Sequence, residues 1–305
     1  MRDSLLIPLD GTPIAEAGLS WAEAAAGKCG ASLQLLSICR RDSDAQALTA
    51  TIDYLDRHVQ RLRAGGIRAT AQLQLGDPAP RILQEAECAD LTVLTSGTTR
   101  WIVSPILDQI LRKMESPVAL VRGDRSEWMS ATNLERILLP VSESNYSSEA
   151  IPVVQRLAMT FEAEVILLHN VSPPNEPGSA GESPFSAVTT KRIDVDLSQA
   201  ESYVEHVADE FRGWGIRVRT VISTGEPAKQ IVAVGREYGA GLIAMATRGR
   251  DRLESRIAGS VANVVLESTP IPCVLIRTAA PGMSRQVNGH EQHAVRAEVT
   301  AEQAP

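Results

Sequence analysis

The sequence is poor in several residue types that mark particular classes of protein. Aromatic residues make up 4% of its 305 residues, and the four cysteines (Cys29, Cys39, Cys88 and Cys273) include no C-x2-C pair. The five histidines show no ligand spacing. Disulfide frameworks and zinc sites need closely spaced cysteines or histidines, so we expect no metal site. We expect the cysteines to be buried as small apolar side chains.

Long apolar runs are also lacking. Pro8 interrupts the first apolar segment before it could form a signal core, and no later run approaches the roughly 20 residues of a membrane span. The net charge of -7 gives no general attraction to nucleic acid. These absences predict a soluble cytoplasmic protein with neither a membrane nor a nucleic-acid partner.

Catalytic motifs are missing as well. The sequence contains no G-x4-G-K-S/T, no G-x-G-x2-G and no G-x-S-x-G pattern, and no local carboxylate or Cys-His set. We therefore expect no catalytic residues and no dedicated enzyme.

An internal repeat organises what is present. Residues 136–142, 225–228 and 272–277 match residues 4–10, 76–79 and 117–122 in the same order. Three ordered matches indicate two copies of one unit. We place them at residues 1–123 and 134–278, and we expect the polar, aperiodic residues 279–305 to be a disordered tail.

Strand-like and helix-like segments alternate within each copy. This alternation predicts an α/β fold of two five-stranded parallel sheets, each with helices on both faces. Thr12 and Pro13 suit the start of a helix whose apolar stripe includes Ile14 and Trp21. A second helix is predicted at residues 45–64 and a third at 79–88, with a strand at 67–75. Residues 172–190, rich in Pro, Ser and Gly, are predicted to be a loop.

The most informative segment is residues 246–261, which read A-T-R-G-R-D-R-L-E-S-R-I-A-G-S-V. It follows an apolar strand-like run, and the apolar spacing from Val261 onward predicts a helix that begins near Ser260. Arginines crowd the connection between the two. Free amides at a helix start, its dipole and guanidinium groups all favour an anion such as phosphate.

This segment resembles the universal stress protein family, whose ATP-binding members carry G-x2-G-x9-G-S/T after their fourth strand. Here the pattern is Ala246-x2-Gly249-x9-Gly259-Ser260. The resemblance extends along most of the chain and implies two Rossmann-like or flavodoxin-like units of the adenine nucleotide alpha hydrolase type. It also implies that the units pair through their fifth strands, residues 118–121 and 273–276, and that tandem chains could form a homodimer.

The resemblance further implies an adenine-nucleotide site in the second copy, for ATP, ADP or AMP, with Mg²⁺ only alongside the nucleotide. Asn170 would lie at the base, and Met245 and Ala246 near the ribose. The end of the copy's first strand, Pro140, Val141 and Ser142, would hold the adenosine. The phosphates would be surrounded by Arg248, Gly249, Arg250, Gly259, Ser260 and Val261.

Two positions depart from the family pattern. Ser142 replaces an aspartate that holds the adenosine end, and losing one charge-assisted hydrogen bond costs about 1.5 to 3 kcal/mol. Ala246 replaces a glycine. Both departures predict weakened binding.

The first copy shows the opposite pattern. It retains Asp10 after its first strand, but its loop is shorter and has Ser104 and Pro105 in place of Gly259 and Ser260. Proline removes an amide from the helix start, so we expect no phosphate site there. Asp10 is a weak binding candidate that could instead cap the following helix.

These features leave three hypotheses. The first is a nucleotide-binding regulatory or stress-response protein that acts on an unknown protein partner. The alternative is a scaffold that binds no nucleotide and acts through protein contacts. The third is an enzyme that hydrolyses or transfers a nucleotide, for which the sequence identifies neither a base nor metal ligands.

Overall fold

The computed structural model describes residues 4–96, 105–123, 134–142, 145–171, 186–248 and 260–278. Its first half comprises β1 (Ser4–Pro8), α1 (Pro13–Cys29), β2 (Ser32–Cys39), α2 (Ala45–Ala64), β3 (Ala69–Leu75), α3 (Pro78–Ala86), β4 (Leu91–Ser96), α4 (Pro105–Lys113) and β5 (Val118–Arg122). The second half repeats this order with β6 (Arg136–Val141), α5 (Asn145–Phe161), β7 (Glu164–Val171), α6 (Ser186–Gly213), β8 (Val218–Thr224), α7 (Pro227–Glu237), β9 (Leu242–Arg248), α8 (Ser260–Ser268) and β10 (Cys273–Thr278).

The strands of the described residues form one ten-stranded sheet in the order β3-β2-β1-β4-β5-β10-β9-β6-β7-β8. Neighbouring strands are parallel within each half, whereas β5 and β10 pair antiparallel, with Ala119 opposite Val274. The predicted pairing through the fifth strands is thus confirmed. Antiparallel pairing of equivalent strands relates the halves by an approximate twofold axis.

Helices cover both faces of the sheet, as predicted, and each face has an apolar layer that runs through both halves. One layer contains Leu62 of α2 and Phe211 of α6, and the other contains Ile110 of α4 and Val265 of α8. The fold is therefore a three-layer α/β/α arrangement. In the described part of the chain, no helix combines the length and the apolarity that a membrane crossing requires.

The start of α1 follows the sequence closely. Thr12 Oγ1 accepts a hydrogen bond from the Ala15 amide at 3.3 Å, which makes Thr12 the capping residue. Asp10 is not the cap, because its Oδ1 instead accepts from the Thr12 amide at 3.0 Å and from the Thr12 hydroxyl at 2.6 Å. Trp21 is buried as expected, but Ile14 is 38% exposed because it lies in the first helical turn.

Other boundaries correct the sequence-based expectations. The predicted third helix ends at Ala86, so Cys88 lies beyond it and is exposed rather than buried. Strand β3 begins at Ala69, and α6 already begins at Ser186, inside the predicted 172–190 loop. Residues 172–185 and the predicted tail lie outside the described residues. Cys273 is buried, which raises the pKa of its thiol to about 12.

Two arginines form hydrogen bonds between the halves. Arg122 of β5 donates to the Glu267 carbonyl of α8 at 3.3 Å. Its repeat counterpart, Arg277 of β10, donates to the Arg112 carbonyl at 2.7 Å and to the Met114 carbonyl at 3.2 Å, at the end of α4. Each guanidinium thus meets the negative end of a helix from the opposite half.

Candidate functional site

In the second half, the order in which the strands are added to the sheet reverses at β6. The chain passes from β6 to β7 on one side and returns to place β9 on the other side of β6. In open α/β sheets, ligands bind at such points, beyond the carboxyl ends of the strands. Ser142 follows β6, Asn170 lies near the end of β7 and Ala246 near the end of β9. With strands about 4.8 Å apart, these three ends lie within about 10 Å along one edge.

The end of β6 is held by a contact that the sequence did not reveal. Pro140 is half-buried, Val141 is buried and Ser142 is exposed. The Ser142 carbonyl accepts a hydrogen bond of 2.7 Å from the hydroxyl of Tyr203 in α6.

Tyr203 itself packs on the neighbouring strand. Its ring lies edge-on to the imidazole of His169 in β7, with the ring centres 5.6 Å apart. The internal repeat could have pointed to Tyr203. The alignment of the two halves that matches Phe211 with Leu62 also matches Tyr203 with Tyr54, so a tyrosine stands at this position in both halves.

The side chain of Asn170 is already engaged within the sheet. Its amide nitrogen donates to the Gly225 carbonyl at 2.9 Å, and its oxygen accepts from the Ser223 hydroxyl at 2.9 Å. These two bonds fasten the end of β7 to the end of β8. A base at this position would therefore meet backbone groups of β7 rather than the Asn170 amide.

Strand β9 presents its residues alternately to the two faces of the sheet. Met245 is 4% exposed and packs in the apolar layer with α7 and α8. Ala246 is half-buried against the opposite layer. Any contact between Met245 and a ligand must consequently use its backbone.

Helix α8 begins at Ser260, as the sequence predicts, and Val261 in its first turn is 37% exposed. The start of a helix offers amides without intrahelical partners and the positive end of the dipole. Arg248 is the last residue of β9. Gly249, Arg250 and Gly259, and the side chains of Arg248 and Ser260, lie outside the described part of the structure.

The corresponding region of the first half is built differently. Asp10 is exposed after β1 and lines a cavity of about 290 Å³. Tyr54 of α2 also lines it; burial, with further contributions from the Glu16 and Asp10 carboxylates, raises the pKa of Tyr54 to about 12. Helix α4 begins with Pro105. No group of His, Cys, Asp or Glu side chains among the described residues could hold a metal ion.

Comparison with known proteins agrees with this architecture. The sequence profile of the Universal stress protein family matches residues 1–122 and 133–277. The chain belongs to the universal stress protein family. Both halves match the profile, so this universal stress protein is a tandem member.

Two relatives from an archaeon and a bacterium are similar to the chain over different lengths. Universal stress protein MJ0531 of Methanocaldococcus jannaschii is 28% identical over 143 residues, which cover 47% of this chain and 82% of that protein. Universal stress protein Rv2623 of Mycobacterium tuberculosis is 23% identical over 229 residues, or 71% of each chain. The second relative matches a stretch longer than one half.

A solved structure supports the fold. The crystal structure of a universal stress protein from Archaeoglobus fulgidus superposes with a TM-score of 0.68, covering 91% of this chain and 99% of that chain. The two are 18% identical, so this likeness shows the shared fold alone.

Proposed function

We propose that this universal stress protein binds an adenine nucleotide, ATP, ADP or AMP, at the carboxyl edge of its second half, and acts as a cytoplasmic regulatory or stress-response protein. One observation carries the proposal. Helix α8 begins at Ser260, the last residue of the A-x2-G-x9-G-S pattern, and that pattern begins within β9 beside the direction change of the sheet. Mg²⁺ enters only with the nucleotide.

The chemistry of this edge favours phosphate. Helix-start amides at Ser260 and Val261, together with Arg248 and Arg250 in the sequence, supply positive potential. Ser142 supplies no carboxylate for the adenosine end, which lowers affinity by about ten- to a hundredfold relative to an aspartate. We therefore expect a working but weakened site.

Binding rather than turnover is the proposed mode of action. At this edge the side chain of Asn170 is bonded within the sheet, and the imidazole of His169 packs on Tyr203. A nucleotide can act as a switch only if its bound form has a different affinity for a protein partner. The partner would read the surface around residues 248–261.

A scaffold that binds no nucleotide is the second candidate. Ser142 favours it, because this serine lacks the charge of the family's aspartate and its carbonyl is already bonded to Tyr203. An enzyme on the same scaffold is a third candidate, for which magnesium-dependent turnover lost on changing Arg250 or Ser260 is the distinguishing result.

Analysis of co-purified small molecules separates the first two candidates. The protein is purified without added nucleotide and denatured, and the released molecules are identified by chromatography and mass spectrometry beside a Gly259→Asp, Ser260→Asp variant. An adenine nucleotide released from the natural protein and absent from the variant supports the binding proposal. A natural protein that releases none, and shows no thermal shift with millimolar ATP, favours the scaffold.

A further inference from the structure

The first half contains a small, partly open cavity. It lies at the carboxyl ends of β1 and β2, under α2, and its volume is about 290 Å³. Leu9, Ile38 and Ala50 form an apolar wall, and Asp10, Thr51 and Tyr54 bring polar groups. Ligand pockets start at roughly 300 Å³, so this cavity suits a compact molecule.

The two halves differ at one position beside this space. Ser37 of β2 occupies the position of His169 in β7. The Ser37 hydroxyl turns toward β1 and donates to the Leu9 carbonyl at 2.6 Å, whereas the His169 imidazole packs on Tyr203. Tyr54 instead contacts His58 of its own helix, with ring centres 4.6 Å apart. The first half thus lacks the ring that occupies this region in the second.

The described lining of the cavity carries a negative charge. Among the described lining residues, Asp10 is charged and none is a lysine or an arginine. The Asp10 hydrogen bonds to Thr12 both use Oδ1, which leaves Oδ2 available to a ligand. A phosphate or carboxylate would meet an unbalanced anion here, whereas a cation would be attracted.

Neighbouring charges strengthen this preference. The Glu16 carboxylate contributes more to the raised pKa of Tyr54 than Asp10 does, and Arg57 opposes them with the smallest effect. Glu16 also lies 3.5 Å from His58 Nε2, a contact that neutralises charge only when the imidazole is protonated.

Tyr54 adds a donor and an aromatic surface. Its hydroxyl lies near enough to Glu16 to respond to that carboxylate, yet it makes no hydrogen bond of standard geometry within the described residues. The Glu16 carboxylate is the near partner of this hydroxyl, and a ligand or water in the cavity can offer it a hydrogen bond of better geometry. The tyrosine ring can also attract a cation through its face.

We propose that this cavity binds a small organic cation, a compact molecule with an apolar body and an ammonium group that pairs with Asp10. The apolar wall takes the body of the molecule, and the carboxylate takes the charge. The site is separate from the second-half edge and does not depend on nucleotide binding there.

Three probes of similar size and different charge test the proposal: phenethylamine is cationic, 2-phenylethanol neutral and phenylacetate anionic. Binding is measured by calorimetric titration of the full chain. The rate of Cys39 alkylation by iodoacetamide is followed by peptide mass spectrometry, because Cys39 lines the cavity while exposed Cys88 serves as an internal reference.

Phenethylamine is expected to bind more tightly than the other two probes. At about three times its Kd it should slow Cys39 alkylation about fourfold, since about a quarter of the molecules remain unoccupied. Cys88 should be unaffected. An Asp10→Asn variant, which keeps the acceptor for Thr12, should lose about tenfold or more in affinity, while exposed Glu237→Gln should change nothing.

Several results would overturn the proposal. These are phenylacetate binding as tightly as phenethylamine, protection of Cys39 that survives Asp10→Asn, or no calorimetric binding of millimolar phenethylamine. Protection of Cys39 by ATP would assign the cavity to a nucleotide and would likewise contradict an organic-cation site. The titration decides the matter even where Cys39 alkylates slowly.

Discussion

At the scale of single residues, the two halves use different side chains where the first helix packs on the fourth strand. A Cβ atom on Gly18 of α1 would lie 2.6 Å from the Thr95 Cγ2 atom of β4. The equivalent residues of the second half are Ala150 and Ala246. The first half therefore pairs a residue without a side chain with threonine, and the second half uses two alanines. Ala246 thus packs against the apolar layer that contains Ala150 and also belongs to the nucleotide pattern.

We predict that Gly18→Ala lowers the free energy of unfolding by about 1 to 3 kcal/mol, because overpacking this contact outweighs the helix preference of alanine. Adding Thr95→Ala should recover most of the loss, since the pair then matches Ala150 and Ala246. Urea unfolding of both variants gives the two values. A neutral or stabilising Gly18→Ala would show that α1 shifts freely over β4.

The raised pKa of Tyr54 predicts a pH dependence. The unfolded chain loses the phenol proton near pH 10.0 and the folded chain near pH 12, so the folded protein binds more protons between these values. Stability that is fully present below pH 10.0 should fall as the pH rises toward 12. Urea titrations across this range should give a shallower fall for Tyr54→Phe. Equal slopes for the two proteins would contradict the assignment.

At the scale of elements, local signals predicted some boundaries and not others. Helix α2 runs from Ala45 to Ala64 as expected, because Asp44 caps it through a 2.7 Å bond to the Ala47 amide and glycines follow it. Helix α6 starts earlier than expected, because Val188, Thr189 and Thr190 are β-branched residues of weak helix propensity and yet belong to its first turns.

Contacts between segments that are distant in the chain could not be predicted from local sequence patterns. The hydrogen bond from Tyr203 to Ser142 joins residues 61 positions apart, so it cannot be predicted from the sequence around either residue. For the same reason the sequence identified the residues of the second-half edge but not the side chains that hold its strands in place. The exposure of Cys88 was missed because an apolar neighbourhood in sequence does not fix where a helix ends.

We predict that Arg277→Met lowers the free energy of unfolding by about 1 to 3 kcal/mol, because the end of α4 loses two charge-assisted hydrogen bonds. Hydrogen exchange should show faster opening of α4. Arg217→Met is the matched control, since Arg217 makes one exposed bond of 3.5 Å to the Glu162 carbonyl and should change stability little. Equal losses of stability for the two substitutions would contradict a stabilising role of the Arg277 hydrogen bonds between the halves.

At the scale of the whole molecule, one sheet and two shared apolar layers join the halves. The repeat predicted two units, and the family resemblance predicted their pairing through the fifth strands. Neither predicted that the apolar layers continue across the junction, because that depends on how the helices of both halves pack around the axis.

A shared core predicts shared unfolding. Leu35 of β2 and Leu167 of β7 are equivalent and almost fully buried. We expect Leu35→Ala and Leu167→Ala each to cost about 2 to 5 kcal/mol and to shift a single unfolding transition. Calorimetry and denaturant curves would reveal it. Two transitions, with each variant lowering only its own, would mean that the halves unfold independently.

Because we propose a nucleotide site in the second half of the molecule alone, the stoichiometry of ATP binding is the decisive measurement. Calorimetric titration with ATP and Mg²⁺ is carried out on the natural protein, on Gly259→Asp, Ser260→Asp in the second half, and on Ser104→Asp in the first. We predict one site per chain, which is lost in the second-half variant and unchanged in the first-half variant. Two sites per chain, no binding, or binding that survives the second-half substitutions would contradict it.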